Sequence, residues 1–455
     1  MKRTWIVLLV VALLAGTLAL PLTGAAAPPA GEGTGRYVVL LAGKGVPARF
    51  EAQVAAVGGS VDFSHDVGIA IVSGLTEAAA GKLAKSPGVA DVQPNFAIEL
   101  DPGVLADAVA VDAAPQSPSD PTSAARYSWQ WNMRAIDADD AWAAGRLGSP
   151  DVTIAILDTG IDYTYPDLVG RIDLTRSISF IPEDDALVDT NFPGKHYVTD
   201  LHYHGTHVAA TAASNAYAAT GVTSQTTLMG VKVCSYDLGY CPSDAVLQGV
   251  LYAVDNGADV INMSLGGYFS KAEYGWYVGV LNQVFNYANR MGVTVVVSAG
   301  NAVADLDHDG NSYKTYCSTP NTICVSATGP ASSDDFYAGP WYEIDAPAFY
   351  TNYGRSAINV AAPGGNYGGY VWAACSQTSL AIPGCQTGVY VVGLAGTSQA
   401  APHVSGLASL VVEDVGRHPS QVRAIIQQSA DDLGQVGVDP FYGKGRINVA
   451  NAVLP

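Results

Sequence analysis

From about residue 150 to the carboxyl terminus, short apolar runs of strand length alternate with longer stretches of helical periodicity. This alternation restricts the fold more than any other feature of the chain. Strands separated by helices pair in parallel, and a parallel sheet is stable only when both its faces are covered. Runs 152–157, 228–233, 260–263, 294–297 and 323–325 read as strands, and 205–214, 243–256, 272–290, 398–413 and 419–428 read as helices. The expectation is an α/β fold, a doubly wound and mostly parallel sheet with helices on both faces. No internal repeat interrupts it.

The residues ahead of this region divide further. Lys2 and Arg3 precede an apolar run from Trp5 to about Leu20, which is followed by Ala25, Ala26 and Ala27. That order predicts a secretory signal peptide over residues 1–27, and Gly16 and Pro21 argue against a retained anchor. No later stretch is apolar and long enough to span a bilayer. Residues 33–100 read as a small α+β unit of ferredoxin-like βαββαβ order: strand 37–41, helix 50–57, strand 68–72, helix 76–85 and an extended segment 89–96. Residues 101–125 are rich in Ala, Pro, Asp and Ser and read as an exposed connector open to cleavage. The remainder, 126–455, is the main domain.

Composition enters where partners are concerned. A net charge of −19 excludes a polyanion such as nucleic acid as the natural partner. In an exported chain six cysteines predict disulfides, and they fall into near neighbours: Cys234 with Cys241, Cys317 with Cys324, and Cys375 with Cys385. Zinc is disfavoured, since the pairs lack CxxC spacing and histidine neighbours.

Four polar residues stand where strands end or helices begin. Asp158 closes the run 152–157 and precedes Thr159-Gly160, at the sheet edge where α/β proteins place their sites. His204 opens a small-residue helix, where the dipole disfavours its charged form. Ser398 follows Gly396-Thr397 at the start of another such helix. Asn301 ends the run 295–301, with a side-chain amide able to donate to a developing oxyanion. Taken singly, each is as readily a turn or cap residue.

Taken together with their neighbours, they resemble the subtilisin-like serine proteases. The likeness spans roughly 129–453 and rests on ILDTGID around Asp158, HGTHVA at His204, MSLGG at 263–267, SAGN ending at Asn301, VAAPGG at 360–365 and GTSQAAPHVSG around Ser398. The chain order Asp, His, Ser matches that family. The resemblance implies a secreted endopeptidase in which Ser398 is nucleophile, His204 general base and acid, and Asp158 the group orienting the imidazole. Asn301 and the Ser398 N–H would form the oxyanion hole. Ser264, Leu265, Gly266 and Gly267 resemble the strand that pairs with substrate backbone. An apolar P1 residue is expected, because Ala302 rather than an acidic residue follows Asn301.

The same resemblance makes residues 33–100 an inhibitor-like propeptide, closing on Val92-Gln93-Pro94-Asn95, and the product an autoprocessed, monomeric enzyme with polypeptide substrates. Catalysis would need no cofactor, and after signal removal no membrane contact is expected. Departures are Tyr203 before His204, Ala210 in place of a usual glycine, and Gln399 in place of a usual methionine, which would spare that position oxidative loss. Two acidic loops bear on calcium. Asp305, Asp307 and Asp309 alternate before Gly310 as in the first half of an EF-hand-type loop, although Tyr316 stands where the closing Glu would be; a calcium site and a solvated acidic turn are both consistent with this. Asp167 matches one calcium ligand of the family, and that site stays open.

Overall fold

The computed structural model describes residues 35–455 except 44, 102, 113–116, 238 and 315. The expected signal peptide lies outside the described residues. Among those described, no helix is long and apolar enough to cross a membrane.

The main sheet runs Ala346–Pro347, Thr322–Gly329, Thr294–Ser298, Val260–Met263, Thr153–Asp158, Thr227–Lys232, Ile178–Ser179, and Val360–Pro363 pairs with Thr322–Gly329 off this path. All pairings are parallel except that of Ala346–Pro347. Thr153–Asp158 lies in the middle and is buried at every residue. Since successive side chains of a strand point to opposite faces, this one strand feeds two cores. Ile154 and Ile156 join the helices His204–Ala212 and Thr397–Val415 through Val208, Ala212, Val404 and Leu407. Ala155 and Leu157 join Ser243–Asp255 and Lys271–Arg290 through Val246, Val250, Leu281 and Phe285. Each fully buried aliphatic side chain contributes about 1.5–3 kcal/mol, so two faces of β-branched and leucine residues hold the sheet between its helices. The doubly wound architecture is therefore as expected, with strand and helix ends mostly within a residue or two of their expected positions.

Residues 35–94 form a four-stranded antiparallel sheet in the order Ser60–His65, Ile69–Leu75, Gly35–Leu41, Val89–Pro94. Helices Phe50–Ala56 and Glu77–Leu83 connect these strands. Thr76 caps the second helix by accepting from Ala79 N at 3.2 Å. Alternation again divides the labour. Val39, Leu41, Ala70 and Val72 pack on the unit's own helices, whereas Val38, Ile69 and Ile71 pack into the core beneath Ser243–Asp255 and Lys271–Arg290. Asn95 fixes the junction: its Oδ1 accepts from Ser243 Oγ at 2.6 Å and Asp244 N at 3.0 Å, capping the helix that starts there.

Beyond Asn95 the chain does not become the free connector its composition suggests. Ala97–Glu99 pairs antiparallel with Tyr240–Pro242, and Val104–Leu105 and Val109–Ala110 pair antiparallel with Tyr390–Ala395. Backbone pairing needs no particular side chains, and so the alanine-rich composition hid it.

Candidate active site

Asp158, His204 and Ser398 come together at the carboxyl edge of the sheet, each delivered by a different element. Asp158 is the last residue of the central strand. Its Oδ1 lies 2.7 Å from His204 Nδ1 and also accepts from Thr159 N at 2.8 Å. Both side chains are fully buried. A Cβ on Gly205 would stand 2.1 Å from Gly160 O and 3.1 Å from Asp158 Cβ, so only glycine lets the helix start this close to the strand end. Burial works to lower the His204 pKa, but the charge and hydrogen bond of Asp158 outweigh it and raise the imidazole above its ordinary value.

Ser398 is the second residue of Thr397–Val415, a helix that contains Pro402. Proline has no N–H, so the carbonyl four residues earlier, that of Ser398, is released from the helix. Ser264 Oγ donates to that carbonyl at 2.7 Å, while the Ser398 hydroxyl donates to Ser264 O at 3.1 Å. This reciprocal pair ties the Ser398 backbone to the 264–267 segment. Asn262 Nδ2 donates to Ser264 Oγ at 3.0 Å and Ser405 Oγ donates to Asn262 Oδ1 at 2.8 Å, which locks the pair from below. His204 Nε2 has no hydrogen-bond partner among the described residues, so the Ser398 hydroxyl must turn from Ser264 O to reach it. Such contacts are often loose until substrate arrives.

Asn301 follows the strand Thr294–Ser298. Its Oδ1 accepts from Thr397 N and Thr397 Oγ1, both at 2.9 Å. A backbone N–H can only donate, so the carboxamide orientation is fixed and Nδ2 is left for another acceptor.

The sequence reading missed Asp200. This carboxylate is fully buried and accepts from Thr159 Oγ1 at 2.9 Å, His202 N at 2.9 Å, Thr206 N at 2.9 Å and Thr206 Oγ1 at 2.6 Å. It therefore bolts the turn after Asp158 to the first turn of the His204 helix. Burial pushes its pKa up to about 6, against the pull of these hydrogen bonds. Nothing in the sequence marks it beyond its place four residues before His204. His207 is buried with Nε2 3.1 Å from Val371 O, and burial lowers its pKa to about 3.

Ala97–Glu99 lies between two segments of the main domain. Ile98 packs against Gly267, where a Cβ would stand 2.7 Å from Ile98 Cγ2, so the expected 264–267 segment lines one side. On the other side Tyr240–Pro242 makes the actual β-ladder, and its Cys241 closes the Cys234–Cys241 disulfide. Cys317–Cys324 and Cys375–Cys385 are the other two bonds, in the expected local pattern.

The subtilase family model matches residues 149–445. The chain belongs to the subtilase family. It is 31% identical to thermitase of Thermoactinomyces vulgaris over 340 residues, 74% of this chain and 99% of the relative. It is also 31% identical to the thermophilic serine proteinase of Bacillus sp. (strain AK1), over 71% of this chain and 67% of the relative. Among solved structures, the epidermin leader peptide processing serine protease of Staphylococcus aureus shares the fold at a TM-score of 0.71 and 20% identity, covering 92% of this chain and 98% of that one. This subtilase is accordingly a subtilisin-like serine endopeptidase acting on polypeptides, and such enzymes need no cofactor for the chemical step.

At Asp305, Asp307 and Asp309, where the sequence is consistent with a calcium site or a solvated acidic turn, each carboxylate faces a protein donor. Asp305 Oδ1 accepts from Asp307 N at 2.9 Å and its Oδ2 lies 2.8 Å from His308 Nδ1. Asp307 Oδ1 accepts from Ser356 N at 3.0 Å, and Asp309 Oδ1 takes the Lys271 ammonium at 2.6 Å. Three carboxylates aimed at three different donors do not converge on an ion. Asp167 accepts from the N–H groups of Tyr217, Ala218 and Ala219 at 2.7, 2.9 and 3.1 Å. No group of three His, Cys, Asp or Glu side chains among the described residues is arranged to hold a metal.

Proposed function

We propose that this subtilase is exported as a zymogen and hydrolyses peptide bonds with Ser398 as nucleophile, His204 as proton carrier and Asp158 as its anchor. The Ser398 hydroxyl passes its proton to His204 Nε2 while Oγ attacks the scissile carbonyl carbon. Charge that builds on the carbonyl oxygen is met by Asn301 Nδ2 and the Ser398 N–H. His204 then protonates the departing amine, an acyl-enzyme remains, and water reverses the sequence to release the acid.

Residues 35–100 act in this reading as the enzyme's own inhibitor. The observation that carries it is the path of the chain after Asn95. It pairs with Tyr240–Pro242 through Ala97–Glu99 and with Tyr390–Ala395 from Val104 onward, and at this crossing Gly103 Cα lies 3.4 Å from the point where a Cβ on Gly396 would stand, two residues before Ser398. The Asp101 charge is felt at His204. The first self-cut falls at that crossing, and trimming within the connector to about residue 125 completes maturation. Amino-terminal sequencing of the secreted product beside the Ser398→Ala form tests this: the variant should stay a full-length precursor. A fully active product beginning at Pro28 would refute the inhibitor role.

A further inference from the structure

The segment beyond the crossing is held more extensively than an inhibitor of the catalytic centre requires. Val104 and Leu105 pair with Ala395 and Leu394, and Val109 and Ala110 with Val391 and Tyr390. Ala106 N donates to Gly393 O at 2.9 Å and Val111 N to Val389 O at 2.8 Å. The whole of Tyr390–Ala395, which leads directly into Gly396-Thr397-Ser398, thus has its outer edge covered, while its inner edge pairs with Val371–Ala374. Gly103, at φ 80°, threads the entrance: a Cβ there would lie 2.3 Å from Ala395 O.

Side chains add to the backbone. Ala108 packs on Tyr203, Val392, Leu394 and the Cys375–Cys385 bridge, and Ala106, Val109 and Val111 pack against the main core. These places accept small apolar residues at several successive steps. Gln399 sits at the entrance. Gln399 is fully buried, yet neither its Oε1 nor its Nε2 has a hydrogen-bond partner. Around the point where a Gly396 Cβ would stand, Gln399 Oε1 lies at 2.9 Å, Gly103 Cα at 3.4 Å and Asn301 Nδ2 at 3.5 Å. A buried amide with no partner costs free energy unless something arrives to bond it. The chain already passing there, at Gly103, leaves both amide atoms without a partner, so the backbone pairing along Tyr390–Ala395 carries the inference.

We infer that the outer edge of Tyr390–Ala395 is a long leaving-side recognition strand, which binds polypeptides by adding their chain as a β-strand for eight or more residues beyond the cut. Its preferred substrates are extended, unfolded chains with small apolar residues over that stretch. The inference rests on the protease reading above and specifies which part of a substrate the enzyme reads. Strand addition draws its affinity from main-chain hydrogen bonds, and so the site discriminates by chain length and by the presence of N–H groups.

Two measurements decide it. In the full-length precursor, Ala106→Pro removes the N–H that bonds Gly393 O, whereas Ala106→Ser keeps it. Self-cleavage between Asp101 and Gly103 should slow by about tenfold in the proline variant and stay at the wild-type rate in the serine variant. On the processed enzyme, two quenched peptides with identical amino-side halves should differ in kcat/KM by at least about tenfold, with the one carrying ten residues past the cut ahead of the one carrying two. Equal rates for the two lengths, or a proline variant that self-cleaves normally, would overturn the recognition strand while leaving proteolysis intact. Hydrolysis of neither peptide would remove the protease reading and this inference with it.

Discussion

Asp158 and the loop aspartates Asp305, Asp307 and Asp309 both stood out in the sequence and have opposite surroundings in the fold. Asp158 ends a buried strand, and its neighbours Thr159 and Gly160 are pinned by Asp200 and by the close approach of Gly205, so its carboxylate has a single direction to face. Asp305, Asp307 and Asp309 sit on a surface loop, where each carboxylate turned to the nearest donor: His308, Ser356 and Lys271. Spacing along a chain specifies a site only where a rigid framework converts it into direction.

The sharpest way to test that contrast is at the centre. Ser398→Ala or His204→Ala should lower kcat by at least ~10⁴, measured on unfolded casein, because the triad acts as a unit. A variant within tenfold of wild type would break the assignment. Asn301→Ala removes one fixed oxyanion donor and should lower kcat by ~10²–10³ with little change in KM, read from steady-state kinetics on a short peptide.

Asp200→Asn probes the framework itself. An amide in that place turns an N–H toward the Thr206 or His202 N–H groups, and an unsatisfied buried donor costs about 1–3 kcal/mol. If the cost falls on the geometry of His204, kcat drops ~10- to 100-fold with KM nearly unchanged. The pH profile supplies the second readout. Asp200 adds to the charge that raises the His204 pKa, and the neutral imidazole is the active base. Activity therefore rises as pH climbs through that raised value, and losing the Asp200 charge should move this acid limb to lower pH. An unmoved limb would reduce Asp200 to a structural residue. In the folded protein the Asp200 pKa of about 6 is itself above the ordinary carboxylate value, so its linked stability is complete at low pH and declines as pH rises through about 6.

The smallest effect belongs to the acidic loop. Asp307→Ala deletes an acceptor for Ser356 N and should cost about 0.5–1.5 kcal/mol, whether calcium or chelator is present. A thermal-melt difference between wild type and variant that appears only with calcium would restore the ion site.

Much of this was legible in the sequence because the relevant signals are local. Helix Pro419–Gln428 and strand Val260–Met263 show their limits through proline, glycine and apolar period, and the residues of the triad stand at strand and helix ends. The near-neighbour cysteines likewise found one another. What stayed hidden depends on surfaces that only the fold creates. Asp200 looks like any loop aspartate until two elements converge on it. The Tyr390–Ala395 edge and the Tyr240–Pro242 strand are distant in sequence from the residues they bind. Gln399 was noticed only as a replacement for an oxidisable residue, whereas its lack of partners is a property of the packed core.

The short disulfides have a consequence of another kind. A protease secreted at any concentration is surrounded by copies of itself, and a loop can be digested only if it can be drawn out as an extended strand through a neighbour's cleft. A stretch of seven to ten residues would span roughly 25–35 Å when so drawn. In the rings closed by Cys234–Cys241, Cys317–Cys324 and Cys375–Cys385 the ends are held 4.0, 5.1 and 6.0 Å apart, with sequence separations of 7, 7 and 10. One of these rings contains Tyr240 and one lies beneath the Tyr390–Ala395 edge. The loops inside these rings are thus kept from being drawn out as extended strands.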